Sequence, residues 1–352
     1  MPHAYRSMTD PAAEHLQVSD VARELVLASD VIDLHVDTFI WTRLFGYDLR
    51  KRHGAGPFAG CLMSQVDLPR ALEGGLTGAM WSITTNPWRS AGGRARTLSA
   101  NVAELRRVLD ESQVARVVGS LAEYRAARAA CKHAALLAVQ GGNACDADES
   151  VLESRALTRV TLVHMTNSDV GATSSPFRLG ADSGLGRTGA GLVARLNETR
   201  TFVDLAHISR RGFFEAVALH DQSQPLIVTH TGVSGVHASW RNLDDDQIKC
   251  IADTGGVVGV VFHGEYLSGC FLGGPMAAVA AHIAHIVNVA GEDVAALGSD
   301  WDGFIIPPRG LRSCDRLPAL VQVLLDAGLS ERCVQKVLGG NFLRAFGRLR
   351  PS

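Results

Sequence analysis

The stretch Val31-Ile32-Asp33-Leu34-His35-Val36-Asp37-Thr38 predicts a short buried strand that ends in a histidine and an aspartate. Side chains alternate along a strand, so His35 and Asp37, two residues apart, project from the same face. An imidazole nitrogen and a carboxylate oxygen on one face supply half of a zinc site. A single pair of this kind is also common in proteins without a metal, so its meaning depends on the rest of the chain.

Apolar runs of strand length alternate with amphipathic helical patterns along the chain. The strand predictions are 31–37, 78–84, 134–139, 158–164, 201–206, 225–229, 256–262 and 294–299. The helix predictions are 98–110, 188–200 with Thr188 as its N-cap, 209–219, 244–253 and 276–290. Near-continuous apolar strands are typical of parallel strands buried on both faces. Eight of them alternating with helices predict an α/β fold, a (β/α)8 TIM barrel made by residues 1–352 as a single domain. Segment 40–75 is predicted to be an irregular insertion over the active-site face.

Polar side chains stand at or just after the ends of most predicted strands. In a barrel these carboxyl ends converge on one pocket, so the metal site is expected at that face. The residues so placed are His35, Asp37, Gln140, His164, His207, His230 and Asp300. Imidazoles and carboxylates are ligands that zinc prefers. Any one of these histidines alone is more often a core residue, but their recurrence at successive strand ends favours a metal site.

Composition excludes several classes of function. The chain has 352 residues, 46% of them hydrophobic, and a formal net charge of −2, which gives no electrostatic support for binding nucleic acid. Its apolar runs fall short of the ~20 residues that span a bilayer, so no membrane contact is expected. Residues 1–20 form a polar extension without a signal-peptide core. Seven cysteines without a CxxC pair favour a reducing compartment. We therefore expect a cytoplasmic protein.

Several motifs along the chain carry a resemblance to a known family. They are IDLHVD (32–37), QVDLPR (65–70) followed by EGGL (73–76) and GAMWS (78–82), TLVH (161–164), VDLAHIS (203–209), His230 followed by RNL (241–243) and DDQ (245–247), GSDWDG (298–303) and GGNFLR (339–344). Together they resemble the membrane (renal-type) dipeptidases, zinc peptidases with a TIM barrel related to the amidohydrolases. The resemblance covers residues 30–348, approximately.

The resemblance implies a role for each matching residue. His35 and Asp37 would bind a first zinc ion, and His207 and His230 a second. His164 would contact the scissile carbonyl or its oxyanion, and Arg241 would bind the substrate carboxylate, a task suited to its planar fork. Asp300 would shuttle the proton to the leaving amine, so the catalytic residues are Asp300 and His164. The family also implies a homodimer.

One position departs from the family pattern. The family bridges its two metals with a glutamate in an EGG motif, whereas this chain has Val139-Gln140-Gly141-Gly142-Asn143. Gln140 offers one neutral oxygen and an amide NH2 that cannot bind a metal, so it is a poor bridge. We therefore expect one or two Zn2+ ions with a weak second site.

Three functions follow from the sequence. The first is hydrolysis of dipeptides or related small amides by a zinc-activated water. The second is a catalytically weakened or inactive homologue that serves as a binding protein. The third is an enzyme repurposed in specialised metabolism that uses one metal. In each case the expected partner is a small dipeptide-like molecule.

Overall fold

The computed structural model describes residues 16–145, 150–177 and 180–352, so most of the predicted N-terminal extension lies outside the described residues. The strands are β1 Ile32–Val36, β2 Gly78–Thr84, β3 Ala115–Val117, β4 His133–Gln140, β5 Arg159–Thr161, β6 Phe202–Asp204, β7 Ile227–Thr231, β8 Val257–Val260 and β9 Ala295–Leu297. The helices are α1 Asp20–Ala28, α2 Thr38–Phe45, α3 Leu68–Glu73, α4 Ala91–Glu111, α5 Leu121–Ala129, α6 Ser150–Glu153, α7 Arg187–Glu198, α8 Arg210–Leu219, α9 Asp245–Asp253, α10 Gly264–Ser268, α11 Ala277–Ala290, α12 Leu317–Asp326, α13 Glu331–Gln335 and α14 Asn341–Leu349.

Eight parallel strands close into a barrel. Around the barrel they follow the order β1, β2, β4, β5, β6, β7, β8 and β9, and β9 pairs back to β1. Their side chains are buried almost throughout, because the barrel interior covers one face and the outer helices cover the other. The predicted (β/α)8 TIM barrel is confirmed, and its carboxyl strand ends form one face.

A ninth strand, β3, was missed by the sequence. It pairs with the first residues of β4, from Ala115 opposite His133 to Val117 opposite Ala135. Strand β5 pairs with the last residues of β4, from Ala138 to Gln140. Since β2 occupies the other edge of β4 along its whole length, β3 and β5 share one edge. Strand β3 therefore extends the amino end of the barrel and leaves the site face untouched.

Two local predictions were wrong. Helix α7 begins at Arg187 with Gly186 as its N-cap, so Thr188 lies inside the first turn and cannot cap it. Segment 40–75 is not irregular throughout, because it contains the end of α2 and all of α3. Helix α3 is capped by Asp67, whose side chain accepts a hydrogen bond from the backbone N–H of Arg70. Among the residues that the structure describes, no helix is long and apolar enough to cross a membrane.

Candidate metal and substrate site

The barrel brings the predicted site residues to its carboxyl face. His35 lies in β1, Gln140 ends β4, His230 lies in β7, Asp37 follows β1 directly, and His164, His207 and Asp300 stand three residues after β5, β6 and β9. Arg241 lies in the long loop between β7 and α9. All eight predicted residues are thus at or beyond the strand ends that form one face.

One group of side chains has the geometry of a cation site. A ligand atom from each of His35, His230 and Asp300 lies within 4.8 Å of the others. His35 Nε2 is 3.4 Å from Asp37 Oδ2 and 3.6 Å from Asp300 Oδ1. His35 Nε2 and Asp37 Oδ1 are buried without a hydrogen-bond partner, which is costly unless something else satisfies them. Two imidazoles and two carboxylates around such atoms suit one divalent cation.

The second expected metal position is built differently. His207 Nε2 and His230 Nε2 are 2.8 Å apart, and Gln140 Nε2 lies 3.2 Å and 3.4 Å from them. Two imidazole lone pairs repel at that distance, so a proton or a cation must lie between them. The amide NH2 of Gln140 faces the same nitrogens and occupies the side from which a bridging oxygen would act. The side-chain oxygen of Gln140 is buried without a partner.

A buried hydrogen-bond chain sets the tautomer of His230. Its Nδ1 is 2.9 Å from Thr229 Oγ1, which itself donates to Asp204 Oδ2 at 2.7 Å. The hydroxyl proton is therefore committed to Asp204, so His230 Nδ1 is the donor to the hydroxyl oxygen. This tautomer leaves the Nε2 lone pair facing the site, the arrangement typical of metal-bound histidines.

Arg159 is a buried cation beneath the site that the sequence analysis missed. Its Nη2 donates to His35 Nδ1 at 3.0 Å, and its Nη1 lies 3.4 Å from Asp204 Oδ2. Burial lowers the pKa of Arg159, and the negative charge of Asp204 opposes that effect. Because an arginine only donates, the neutral ring of His35 carries its proton on Nε2 and must lose it to bind a metal through that atom. The positive charge of Arg159 and its hydrogen bond to His35 therefore oppose the binding of several cations at this site.

The loop after β9 fixes the backbone and the carboxylate of Asp300. Asp300 has φ of +64°, a left-handed conformation that is uncommon outside glycine. A Cβ on Gly303 would lie 2.6 Å from Asp300 Oδ1, so only glycine leaves room for this carboxylate. Burial, and then the charge of Asp37, raise the pKa of Asp300 well above its ordinary value. The carboxyl group is thereby suited to hold and release a proton.

The other polar residues around the site are desolvated. Burial lowers the pKa of His164 to about 4 and takes those of His207 and His230 well below the ordinary range, so all three rings are neutral at pH 7. Arg241 is only 4% exposed, and its Nη2 donates to the backbone oxygen of His230 at 2.6 Å. This contact fixes the guanidinium beside the histidines and gives Arg241 a structural contact that the sequence did not predict.

A model of one protein family, membrane dipeptidase (peptidase family M19), matches residues 19–350 of the chain. The chain belongs to the membrane dipeptidase family. The family resemblance drawn from the motifs is confirmed, and the match extends over the whole barrel.

Solved structures share this dipeptidase fold. A dipeptidase of family M19, dipeptidase AC, is 25% identical with a TM-score of 0.81, and the match covers 92% of this chain and 99% of that one. A metallopeptidase from Rhodobacter sphaeroides, liganded with a phosphinate mimic of the dipeptide L-Ala-D-Ala, is 24% identical with a TM-score of 0.80 over 91% of this chain and 99% of that one. The probable dipeptidase PvdM from Pseudomonas aeruginosa is 20% identical with a TM-score of 0.81 over 94% and 98%.

A curated relative is an uncharacterised protein in the pqqA 5′ region of Klebsiella pneumoniae. It is 34% identical over 168 residues, which are 46% of this chain and 61% of that protein. The match thus spans less than two thirds of that relative's length.

The buried ion pair between Arg159 and Asp204, which the sequence analysis missed, is marked by two signals in the sequence. Arg159 and Thr161 are two residues apart and therefore lie on the same face of β5. Arg159 is also an isolated charge at the start of an apolar run. Asp204 stands on the neighbouring strand, level with Thr161, which donates to it at 2.6 Å. A charge of each sign on adjacent buried strands predicts an internal ion pair, because neither is found fully buried alone.

Proposed function

We propose that this chain hydrolyses dipeptides or related small amides and that it holds one zinc ion tightly. The convergence of His35, His230 and Asp300, with partnerless buried atoms on His35 and Asp37, is the observation that carries the proposal. When bound there, a zinc ion supplies a Lewis acid that activates water and polarises the amide carbonyl.

The chain's own residues supply the rest of the chemistry. Arg241 offers a buried cation for the free carboxylate of a dipeptide, and its orientation is fixed by the backbone oxygen of His230. Burial keeps His164 neutral, so this ring can donate a hydrogen bond to the substrate carbonyl without adding charge. Asp300 would hold the ion through one carboxylate oxygen, which leaves the other oxygen to pass a proton to the leaving amine.

The contacts of Gln140 support a second candidate, a weakened or inactive homologue. Its amide NH2 faces both His207 and His230, where the family has a carboxylate that bridges two metals. Arg241 already brings a positive charge to this part of the barrel, whereas the charge of Arg159 is paired with Asp204. The second zinc position is therefore weak, and an enzyme of this kind works with one metal or binds substrate without turnover.

The test is hydrolysis of a panel of L,L- and L,D-dipeptides by metal-stripped protein with and without added zinc. Zinc-dependent release of amino acids is expected from the unmodified chain. Asp300→Asn should abolish turnover, whereas Asp253→Asn, on an exposed residue at the end of α9, should not change it. Zinc binding without hydrolysis of any dipeptide would favour the second candidate, and equal activity of Asp300→Asn would remove Asp300 from the mechanism.

A further inference from the structure

We propose that a cavity beside the metal site is a subsite for an aromatic side chain on the amino-terminal residue of the substrate. We call it the aromatic pocket; it is walled by Pro87, Trp88 and Phe177 and has a volume of about 510 Å³. The inference rests on the proposed dipeptide hydrolysis and adds the substrate class to it.

The aromatic pocket lies next to a smaller cavity that reaches the candidate metal site. A smaller cavity, lined by Gln140 and His164, shares Pro87, Asn143 and Thr166 with it. A ligand group that extends from the histidine cluster past Gln140 would therefore be directed toward the aromatic pocket. A volume of this size is within the range of ligand sites and is far larger than the side chain of alanine requires.

Two exposed aromatic side chains form its walls. Trp88 is 76% exposed and lies in the loop between β2 and α4. Phe177 is 84% exposed and lies in the long loop between β5 and α7. Large aromatic groups left in water beside a cleft are typical of a binding surface, because a flat apolar ligand removes them from water.

The rest of the lining of the aromatic pocket is polar. Asn143, Asn167 and Asp169 contribute to it, together with Arg94, whose Nε donates to the backbone oxygen of Asn143 at 2.9 Å. A lining that is partly aromatic and partly polar suits a ring that can stack on aromatic groups and also approach hydrogen-bonding groups. Phenylalanine, tyrosine and tryptophan side chains fit this description better than aliphatic ones.

The position of the pocket decides which end of the substrate it receives. Around the eight-stranded barrel, β2 and β7 are four strands apart, so their carboxyl ends lie on opposite sides of the mouth. Trp88 follows β2, whereas Arg241, the proposed anchor for the substrate carboxylate, follows β7. A dipeptide whose carboxylate is held by Arg241 therefore directs its amino-terminal residue toward Trp88.

The experiment compares three phosphinic pseudodipeptides that cannot be hydrolysed, with Ala–Ala, Phe–Ala and Ala–Phe side chains, by titration calorimetry on zinc-loaded protein. We expect the Phe–Ala analogue to bind at least tenfold more tightly than the Ala–Ala analogue, and Ala–Phe to gain nothing. In the double variant Trp88→Ala/Phe177→Ala this preference should vanish while the affinity for Ala–Ala stays within twofold. Leu219→Ala, another exposed apolar residue at the end of α8, should keep the preference.

The outcomes separate this inference from the proposed function. Equal binding of Ala–Ala and Phe–Ala, or a preference that survives in the double variant, would overturn the aromatic pocket while leaving the dipeptide site intact. A preference for Ala–Phe would place the pocket at the wrong end of the substrate and also overturn it. If no analogue binds to the zinc-loaded protein, the proposed function fails and the subsite fails with it.

Discussion

Replacing Gln140 with glutamate should turn the weak second metal position into a strong one. In Gln140→Glu, a carboxylate would replace the amide group that now lies 3.2 Å and 3.4 Å from the Nε2 atoms of His207 and His230. The variant supplies both the missing negative charge and a second oxygen able to bridge. We expect zinc content to rise toward two ions per chain and dipeptidase activity to rise with it.

The expected size of the effect follows from electrostatics. Two unit charges about 4 Å apart interact by about 4 kcal/mol at an effective dielectric constant near 20, and a divalent ion doubles this attraction. Removing the carboxylate from water costs several kcal/mol and offsets part of the gain. A net gain of about 3 kcal/mol corresponds to roughly a hundredfold tighter second zinc ion, at about 1.4 kcal/mol per tenfold.

The assay is zinc titration with a competing chelator, followed by elemental analysis of both proteins and by rates on the same dipeptide panel. Gln335→Glu, at an exposed glutamine that ends α13, controls for the added charge. Mass spectrometry must show that residue 140 of the unmodified protein is still glutamine. Two equally tight zinc ions in that protein, with no gain in Gln140→Glu, would refute the charge argument.

Three further predictions concern the surroundings of the site. Gly303→Ala should displace the Asp300 carboxylate, because the new Cβ would lie 2.6 Å from Asp300 Oδ1. Turnover in steady-state assays should fall at least tenfold. The control is Gly54→Ala, whose Cβ would meet no other atom within contact distance. Arg159→Met should tighten zinc binding, measured by chelator competition, because a positive charge beside the site is lost. The same variant should lower the free energy of unfolding by about 3 kcal/mol, because the buried ion pair with Asp204 is broken. His133 is buried neutral with its pKa lowered to about 4, so the unfolded chain binds more protons between about pH 4 and 6.5, and stability falls as pH falls through that window. In urea unfolding across this range, the stability difference between the unmodified protein and His133→Gln should therefore shrink toward low pH, and a constant difference would contradict the assignment.

The barrel was predictable because its strands are continuous apolar runs between amphipathic helices. Strand β3 was not, since it has three residues and includes an exposed arginine, Arg116, so no apolar run marks it. Thr188 was misplaced as a cap because residues 184–188 contain two glycines, and either end of that loop can start a helix. Such boundaries depend on the packing of the turn rather than on local preference.

The candidate site was predictable in its residues but not in its balance of charge. Strand-end placement and family motifs identified His35 and Asp300, because a barrel brings such positions together. Neither signal shows that Arg159 donates to His35 or that Gln140 directs its NH2 at two imidazoles, since both depend on side-chain orientation inside the barrel. The aromatic pocket lies between two loops that are far apart in the sequence. Nothing in the sequences of these loops indicates that Trp88 and Phe177 line one cavity.

The most direct test of a site built for one cation is a crystal structure of the unmodified chain grown with zinc, with anomalous data collected at the zinc absorption edge. We predict one strong anomalous peak among His35, His230 and Asp300, and weak or absent density between His207 and Gln140. Two peaks of equal occupancy on either side of Gln140 would contradict the account, as would a site without zinc in a protein that still hydrolyses dipeptides.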